Sequence, residues 1–394
     1  MQLVQTQISR RNPAETALAP LQALQPDLVL AFGDVRHFSA APWLAMLQAQ
    51  CPKAQLLGCS TAGEITAQGV GEGELVLTGL KFSGTGLRAA AALLPEMAGS
   101  HAAGLEIGQQ LAPDLDGAPL RAVLVFGPGV DINGSALVAG ISAALAALHP
   151  GSVIPLTGGL AGDGGAFRQT FTLGAQGIGE RQVAAVGLYG AALHLAHGSF
   201  GGWETFGPAR KVTRCSNNVL YELDGEPALG VYKRYLGDYA RDLPASGLLF
   251  PFAMLGENHD HIGLIRTILG IDEASGSLTL AGDIDPDGYL KLMHASTDRL
   301  VGGAEAAAEA AQQMLAATGD LSGQPALAIL VSCVGRKLVM GDRVDEEVEA
   351  VADVFGADCQ LTGFYSYGEI SPFVPGGDCR LHNQTMTITY LGEA

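Results

Sequence analysis

Basic residues are scarce in this chain. Its 394 residues carry 22 Lys and Arg against 40 Asp and Glu, a formal net charge of −18. Such a surface repels polyanions, and the basic clusters Arg210-Lys211 with Arg214 and Lys233-Arg234 are small. The expectation is no nucleic-acid partner and no membrane partner. No run of about 18 apolar residues occurs, and Met1 to Arg11 lacks the apolar core of a signal peptide, so the expected location is cytoplasmic. The six cysteines form no Cys-x-x-Cys, which argues against structural zinc. Cys59 and Cys359 are expected to be reduced and buried.

Enzyme signatures are equally thin. A Walker motif and His-Glu-x-x-His are absent. Gly58-Cys-Ser-Thr-Ala-Gly63 is one residue too long for a nucleophile elbow. Gly84-Thr-Gly-Leu-Arg-Ala89 mimics a dinucleotide fingerprint but lacks a convincing acidic residue about twenty positions on. The expectation is therefore no catalysis, with an α/β enzyme using Ser60, Ser366 or the paired carboxylates as an alternative.

What the chain has in excess is glycine, 54 residues, and its placement is informative. Gly58-Cys-Ser-Thr-Ala-Gly-Glu-Ile65 returns near the other end as Gly363-Phe-Tyr-Ser-Tyr-Gly-Glu-Ile370. Each copy follows an apolar run, an amphipathic stretch and a second apolar run, which reads as strand, helix, strand and Gly-rich turn. A third unit has Ala122–Gly127 as strand, Ser135–Leu148 as helix, Val153–Thr157 as strand and Gly158-Gly-Leu-Ala-Gly-Asp163 as turn. The spacing predicts an internal repeat, read as a duplicated α/β protein with equivalent loops about a pseudo-twofold relation.

Runs such as Leu28–Phe32 and Ala326–Val331 are continuously apolar, as in strands covered on both faces. Glu74–Phe82, Gln169–Leu173, Gln182–His197 and Gln384–Leu391 read as antiparallel hairpin strands. The predicted class is α/β, with mixed sheets, βαβ units and antiparallel extensions in two domains divided near residue 215. Asn133, Asp342 and Ser39 are expected helix caps, with Pro42 in an opening turn. Leu220–Leu229 predicts a strand, an Asp-Gly turn and a helix to about Leu236, and Gly303–Thr318 a helix closed by Gly319. At the division, Gly201-Gly202 beside Trp203 and Phe206 fits either a bistable hinge or a rigid connector.

The two octapeptides, Gly158–Asp163 and Asn218-Val-Leu-Tyr-Glu-Leu-Asp-Gly-Glu-Pro-Ala-Leu229 together resemble the FIST family, with 20–215 similar to its N-terminal part and 216–394 to its C-terminal part. The resemblance implies an intracellular small-ligand sensor in signal transduction, with an amino acid or related metabolite as ligand. It also implies a separate partner such as a histidine kinase or a cyclic-dinucleotide enzyme. An alternative within the family is a haem protein that senses nitric oxide.

The candidate ligand-binding residues are Gly58, Ser60, Thr61, Gly63, Glu64, Gly158, Gly159, Gly162, Asp163, Tyr365, Ser366, Tyr367, Gly368 and Glu369. Glycine turns expose amide N–H groups to a carboxylate, and the acids beside them suit an ammonium group. Equally, each acid could bond its own turn. For a haem, one proximal histidine suffices, and His194 or His197 is the candidate.

Overall fold

The structure, a computed structural model, describes residues 1–317, 324–374 and 376–393, with His261 as backbone alone. Three sets of six strands recur along the chain. The first is β1 (Gln2–Ile8), β2 (Leu28–Gly33), β3 (Gln55–Ser60), β4 (Glu64–Thr66), β5 (Gly69–Gly71) and β6 (Leu75–Lys81). The second is β7 (Gly86–Leu93), β8 (Leu120–Gly127), β9 (Leu156–Leu160), β10 (Thr172–Gly174), β11 (Gly177–Gly179) and β12 (Gln182–Tyr189). The third is β13 (Leu193–Phe200), β14 (Ala326–Cys333), β15 (Cys359–Ser366), β16 (Gly368–Pro372), β17 (Cys379–His382) and β18 (Met386–Glu393).

Each set builds the same sheet with one exchange. The sheet orders are β1-β6-β2-β3-β10-β11, β7-β12-β8-β9-β16-β17 and β13-β18-β14-β15-β4-β5. In every set the second and third strands are parallel, the sixth runs antiparallel beside the second, and the fourth and fifth leave as a hairpin. The first hairpin docks on the third sheet, the second on the first, and the third on the second. This cyclic order of three replaces the expected pseudo-twofold relation.

Parallel neighbours need a crossover. Here α2 (Pro42–Gln50), α4 (Gly134–Leu148) and α6 (Asp345–Phe355) supply it, while α1 (Ala19–Leu24), α3 (Ser100–Leu111) and α5 (Thr297–Ala316) precede each second strand. The apolar runs follow from double coverage. Leu28, Leu30 and Phe32 pack into a core shared by the three sheets, whereas Val29 and Ala31 pack with Trp43 and Leu47 of α2. Phe32, Phe126 and Phe364 meet in the shared core, with ring centroids 5.4, 4.8 and 5.6 Å apart.

Between β13 and β14 the chain inserts a nine-stranded antiparallel sheet, residues 204–294, with the helix Ala228–Leu236 in its own core. Asp224 and Gly225 both take positive φ, 51° and 79°, the hairpin turn expected there. The connector into this sheet is closely packed. Trp203 is buried and its Nε1 donates to Gln384 O at 2.8 Å, and a Cβ on Gly202 would lie 2.1 Å from Arg299 O. Arg336 and Glu347, both fully buried, pair at 2.6 Å, and Arg336 also donates to Gly201 O and Leu300 O on either side of the insertion.

Several local expectations change. Asn133 caps α4, its Oδ1 accepting from Ala136 N at 3.0 Å, and Pro42 opens α2. Ser39 instead ends the short helix Val35–Ser39, which Asp34 caps, and Asp342 lies in a separate turn before α6. The strand expected at Val153–Thr157 starts at Leu156, after Pro155, which has no N–H to give. Thr318 and Gly319 lie outside the described residues.

Candidate functional site

The glycine motifs are not free turns. Gly58, Gly158 and Gly363 sit inside strands, opposite Ala31, Val125 and Leu330 of the parallel neighbour. A Cβ at each would come within 2.0, 2.0 and 1.9 Å of those residues' carbonyl oxygens, so glycine is what lets the two strands pair there. The same register pairs Gly58 with Leu173, Gly158 with Ile370 and Gly363 with Ile65 on the incoming hairpins. The motif is a strand, a sharp corner and the start of the exchanged hairpin.

The three corners touch one another. Ala62 N donates to Tyr365 O and Tyr365 N to Gly63 O, both at 2.8 Å, while Gly162 N donates to Ser60 O at 2.8 Å and Ser60 Oγ returns a bond to Gly162 O at 2.7 Å. Tyr367 N donates to Leu160 O at 3.2 Å. Of the fourteen candidates, Asp163 is half-buried and the others, including Gly159 and Gly368, are buried.

Glu64 and Glu369 occupy equivalent places. Thr61 Oγ1 donates to Glu64 at 2.6 Å and Ser366 Oγ to Glu369 at 2.7 Å. The second carboxylate oxygen of each accepts from the residue before the sixth strand, Glu74 N at 3.4 Å and Thr385 N at 3.1 Å. Each acid thus fastens the departing fourth strand to the returning sixth. Burial is the largest influence on both and pushes them up to about 7, against the lowering effect of these bonds. In the second set Thr172 holds the corresponding register and bonds Gln182 O at 2.9 Å.

Tyr365 and Tyr367, two apart, would share a face in a continuous strand, but Tyr367 lies in the corner between β15 and β16 and reaches a different neighbour. Tyr365 donates to Glu347, and the Lys337 ammonium lies 5.6 Å from its ring centre. Tyr367 donates to Asp163 and stacks on Phe167 at 4.0 Å. Asp163 also accepts from the amides of Phe167, Arg168 and Gln169, so its carboxylate orders its own loop.

A second place differs in character. Where the inserted sheet meets the second and third sets, a cavity of about 440 Å³ opens between α4, the edge of the inserted sheet and β17. Val138, Met254, Leu264, Ile284 and Leu381 form its apolar wall, and Ser135, Arg266, Asp283, Asp285 and Arg380 its polar part. No candidate from the glycine motifs lines it.

Arg266 is 3% exposed. Its Nε donates to Asp283 O at 3.0 Å, and its Nη1 to Ile265 O at 3.1 Å and Leu381 O at 3.4 Å. Among the described residues no carboxylate pairs with it and Nη2 has no acceptor. Burial, the main influence, brings its pKa down to about 10, opposed by the charge of Asp283 and assisted by Arg380. Ser135 Oγ, in the first turn of α4, is buried without a partner. Both crowd Gly282, where a Cβ would lie 3.0 Å from Arg266 Cζ, Arg266 Nε and Ser135 Oγ alike. Asp283 Oδ1 accepts from the cap residue Asn133 at 3.0 Å, which ties the insertion to α4. The sequence signal for this place was a lone arginine inside the apolar run Leu264-Ile-Arg-Thr-Ile-Leu269.

His194 and His197 stand on β13, three residues apart and so on opposite faces. His197 is buried, which lowers its pKa to about 4. Neither lines the junction cavity, and no group of three or more His, Cys, Asp or Glu side chains among the described residues is arranged to hold a metal ion. No described helix is long and apolar enough to cross a membrane.

Comparison with known proteins gives a family for this architecture. The FIST N domain model matches residues 27–226 and the FIST C domain model residues 228–372. A search of curated proteins finds no match. Among solved structures, a cyanuric acid hydrolase from A. caulinodans is similar over 100% of this chain and 98% of its own, at 11% identity and a TM-score of 0.43. FIST domains are small-ligand-binding sensory domains of signalling proteins. With a FIST N domain followed by a FIST C domain, this chain belongs to the FIST family.

Proposed function

We propose that the chain is a small-ligand sensor without catalysis of its own, and that its ligand, an amino acid or related metabolite, occupies the junction cavity. The observation that carries this reading is the cavity's position: its walls come from α4, from β17 and from the inserted sheet, so one molecule would bridge all three. Ligands favour such junctions between separately cored parts. The glycine corners supply the rigid frame, since the hydroxyls of Ser60, Thr61 and Ser366 and the carboxyls of Glu64 and Glu369 are buried and hydrogen-bonded within the corners.

Signalling in this reading follows from differential contact. A ligand touching both α4 and the inserted sheet favours the arrangement in which they are closest, and a separate kinase or cyclic-dinucleotide enzyme would read that arrangement. Thermal-shift measurements against the common amino acids test it. A binder should stabilise the protein by about 2.7 kcal/mol at a hundred times its Kd. Ala139→Trp, at an exposed position on the cavity wall, should abolish that shift. A shift that survives Ala139→Trp would contradict the placement.

A further inference from the structure

The geometry points to Arg266 and Ser135 as an oxyanion site for the carboxylate of a small acid with a branched apolar tail. This inference rests on the junction cavity being the ligand site and deepens it by naming the chemistry. Buried arginines are normally paired, because an isolated desolvated charge is costly. Arg266 is buried, oriented through Nε and Nη1 by three carbonyl oxygens, and left with Nη2 unmatched beside a cavity. A guanidinium fixed in this way is a preorganised partner for a carboxylate.

Three further features agree on sign and shape. Ser135 Oγ is a second buried donor without an acceptor at the same point. It lies in the first turn of α4, a helix of 15 residues whose N-terminus favours negative charge. Arg380 lines the same cavity from an exposed position. Beside these donors, on the same segments, the wall is aliphatic, through Val138, Leu264, Ile284 and Leu381. Asp283, Asp285 and Asp378 also line the cavity. Asp283 accepts from Asn133 and Asp285 from the Asp287 amide, both at 3.0 Å, which leaves Asp378 to an ammonium group if the acid is an amino acid.

Calorimetric titration of the full chain with isovalerate, L-leucine and isovaleramide separates the possibilities. Both acids should bind, and isovaleramide, equal in shape but uncharged, should bind at least about tenfold more weakly, the scale of one lost charge-assisted bond. Leucine binding more tightly than isovalerate would identify an amino acid; the reverse order would identify a simple carboxylic acid. Arg266→Gln should weaken both acids by about tenfold or more while leaving isovaleramide unchanged. Ser135→Ala should give a smaller loss with the fold intact. Ala139→Trp should block all three.

Isovaleramide binding as tightly as isovalerate, with Ala139→Trp blocking both, would overturn the oxyanion site and leave the cavity as ligand site. Acids that bind equally to the wild type, Arg266→Gln and Ala139→Trp would overturn both. If neither acid binds the wild type with a Kd below about 10 mM, the assignment of a branched apolar acid is overturned.

Discussion

The corners of the three sheets and the junction cavity are built from the same materials, buried polar side chains among apolar ones, yet they differ in how their charged groups are engaged. At the corners every charge has a partner: Arg336 pairs with Glu347, and Glu64 and Glu369 accept hydroxyl and amide hydrogens. In the cavity Arg266 Nη2 and Ser135 Oγ have no acceptor among the described residues. Satisfied buried groups specify a fold, whereas unsatisfied ones beside a void await a ligand. The comparison therefore separates frame from site more sharply than the density of motifs does.

The largest effect that would sharpen this contrast is in the frame. Gly58→Ala places a methyl against Ala31 O, 2.0 Å away across paired backbone that has little room to move. We expect failure to fold or a loss above about 4 kcal/mol in chemical denaturation, the range reserved for core disruption. A near-neutral result would mean that the parallel strands can separate.

Two buried arginines provide the next test. Arg336→Met leaves Glu347 buried without its countercharge and should cost about 3 to 5 kcal/mol. Arg266→Met removes no ion pair and strands only carbonyl acceptors, so about 1 to 2 kcal/mol is expected. Equal losses in urea melts would break the distinction between frame and site.

Both carboxyls at the corners tie stability to pH. Their folded pKa is raised from 4.5 to about 7, so the folded state holds the proton more tightly than the unfolded state. Their contribution is fully present below about pH 4.5 and is lost as pH rises through about 7, on the order of 1 to 3 kcal/mol for each acid. Buried His382, lowered to about 4, acts in the opposite sense, its contribution present above about 6.5 and lost as pH falls through 4. Glu369→Gln should flatten the decline between pH 4.5 and 7 in thermal melts, and an unchanged slope would remove Glu369 as its source.

The smallest expected effect is at Asp163. Its half-buried carboxylate bonds Tyr367 and three amides of its own loop, so Asp163→Asn should cost about 1 kcal/mol and leave ligand affinity unaltered. A loss of affinity would return the corner to the site.

How much of this could be read in advance follows from what each feature imprints on the chain. The apolar runs of β2 and β14 reveal double coverage, and Gly58, Gly158 and Gly363 recur because each strand pair needs the same close approach. The number and order of the sets are harder. Each hairpin pairs with another set's third strand, and a contact between Glu64 and Phe364, three hundred positions apart, leaves no periodic trace. The junction cavity was less legible still, because its donors come from α4, the inserted sheet and β17, and only a lone arginine in an apolar run marks it.

The central claim, that ligand occupies the junction and not the corners, is tested most directly by hydrogen–deuterium exchange on the full chain. The ligand for this measurement is the amino acid that most raises the melting temperature. At saturation new protection is expected in residues 135–142, 264–266 and 283–285 and in 378–381, the segments that line the cavity. Protection confined to residues 58–64, 158–165 and 363–369, with the cavity segments unchanged, would contradict it.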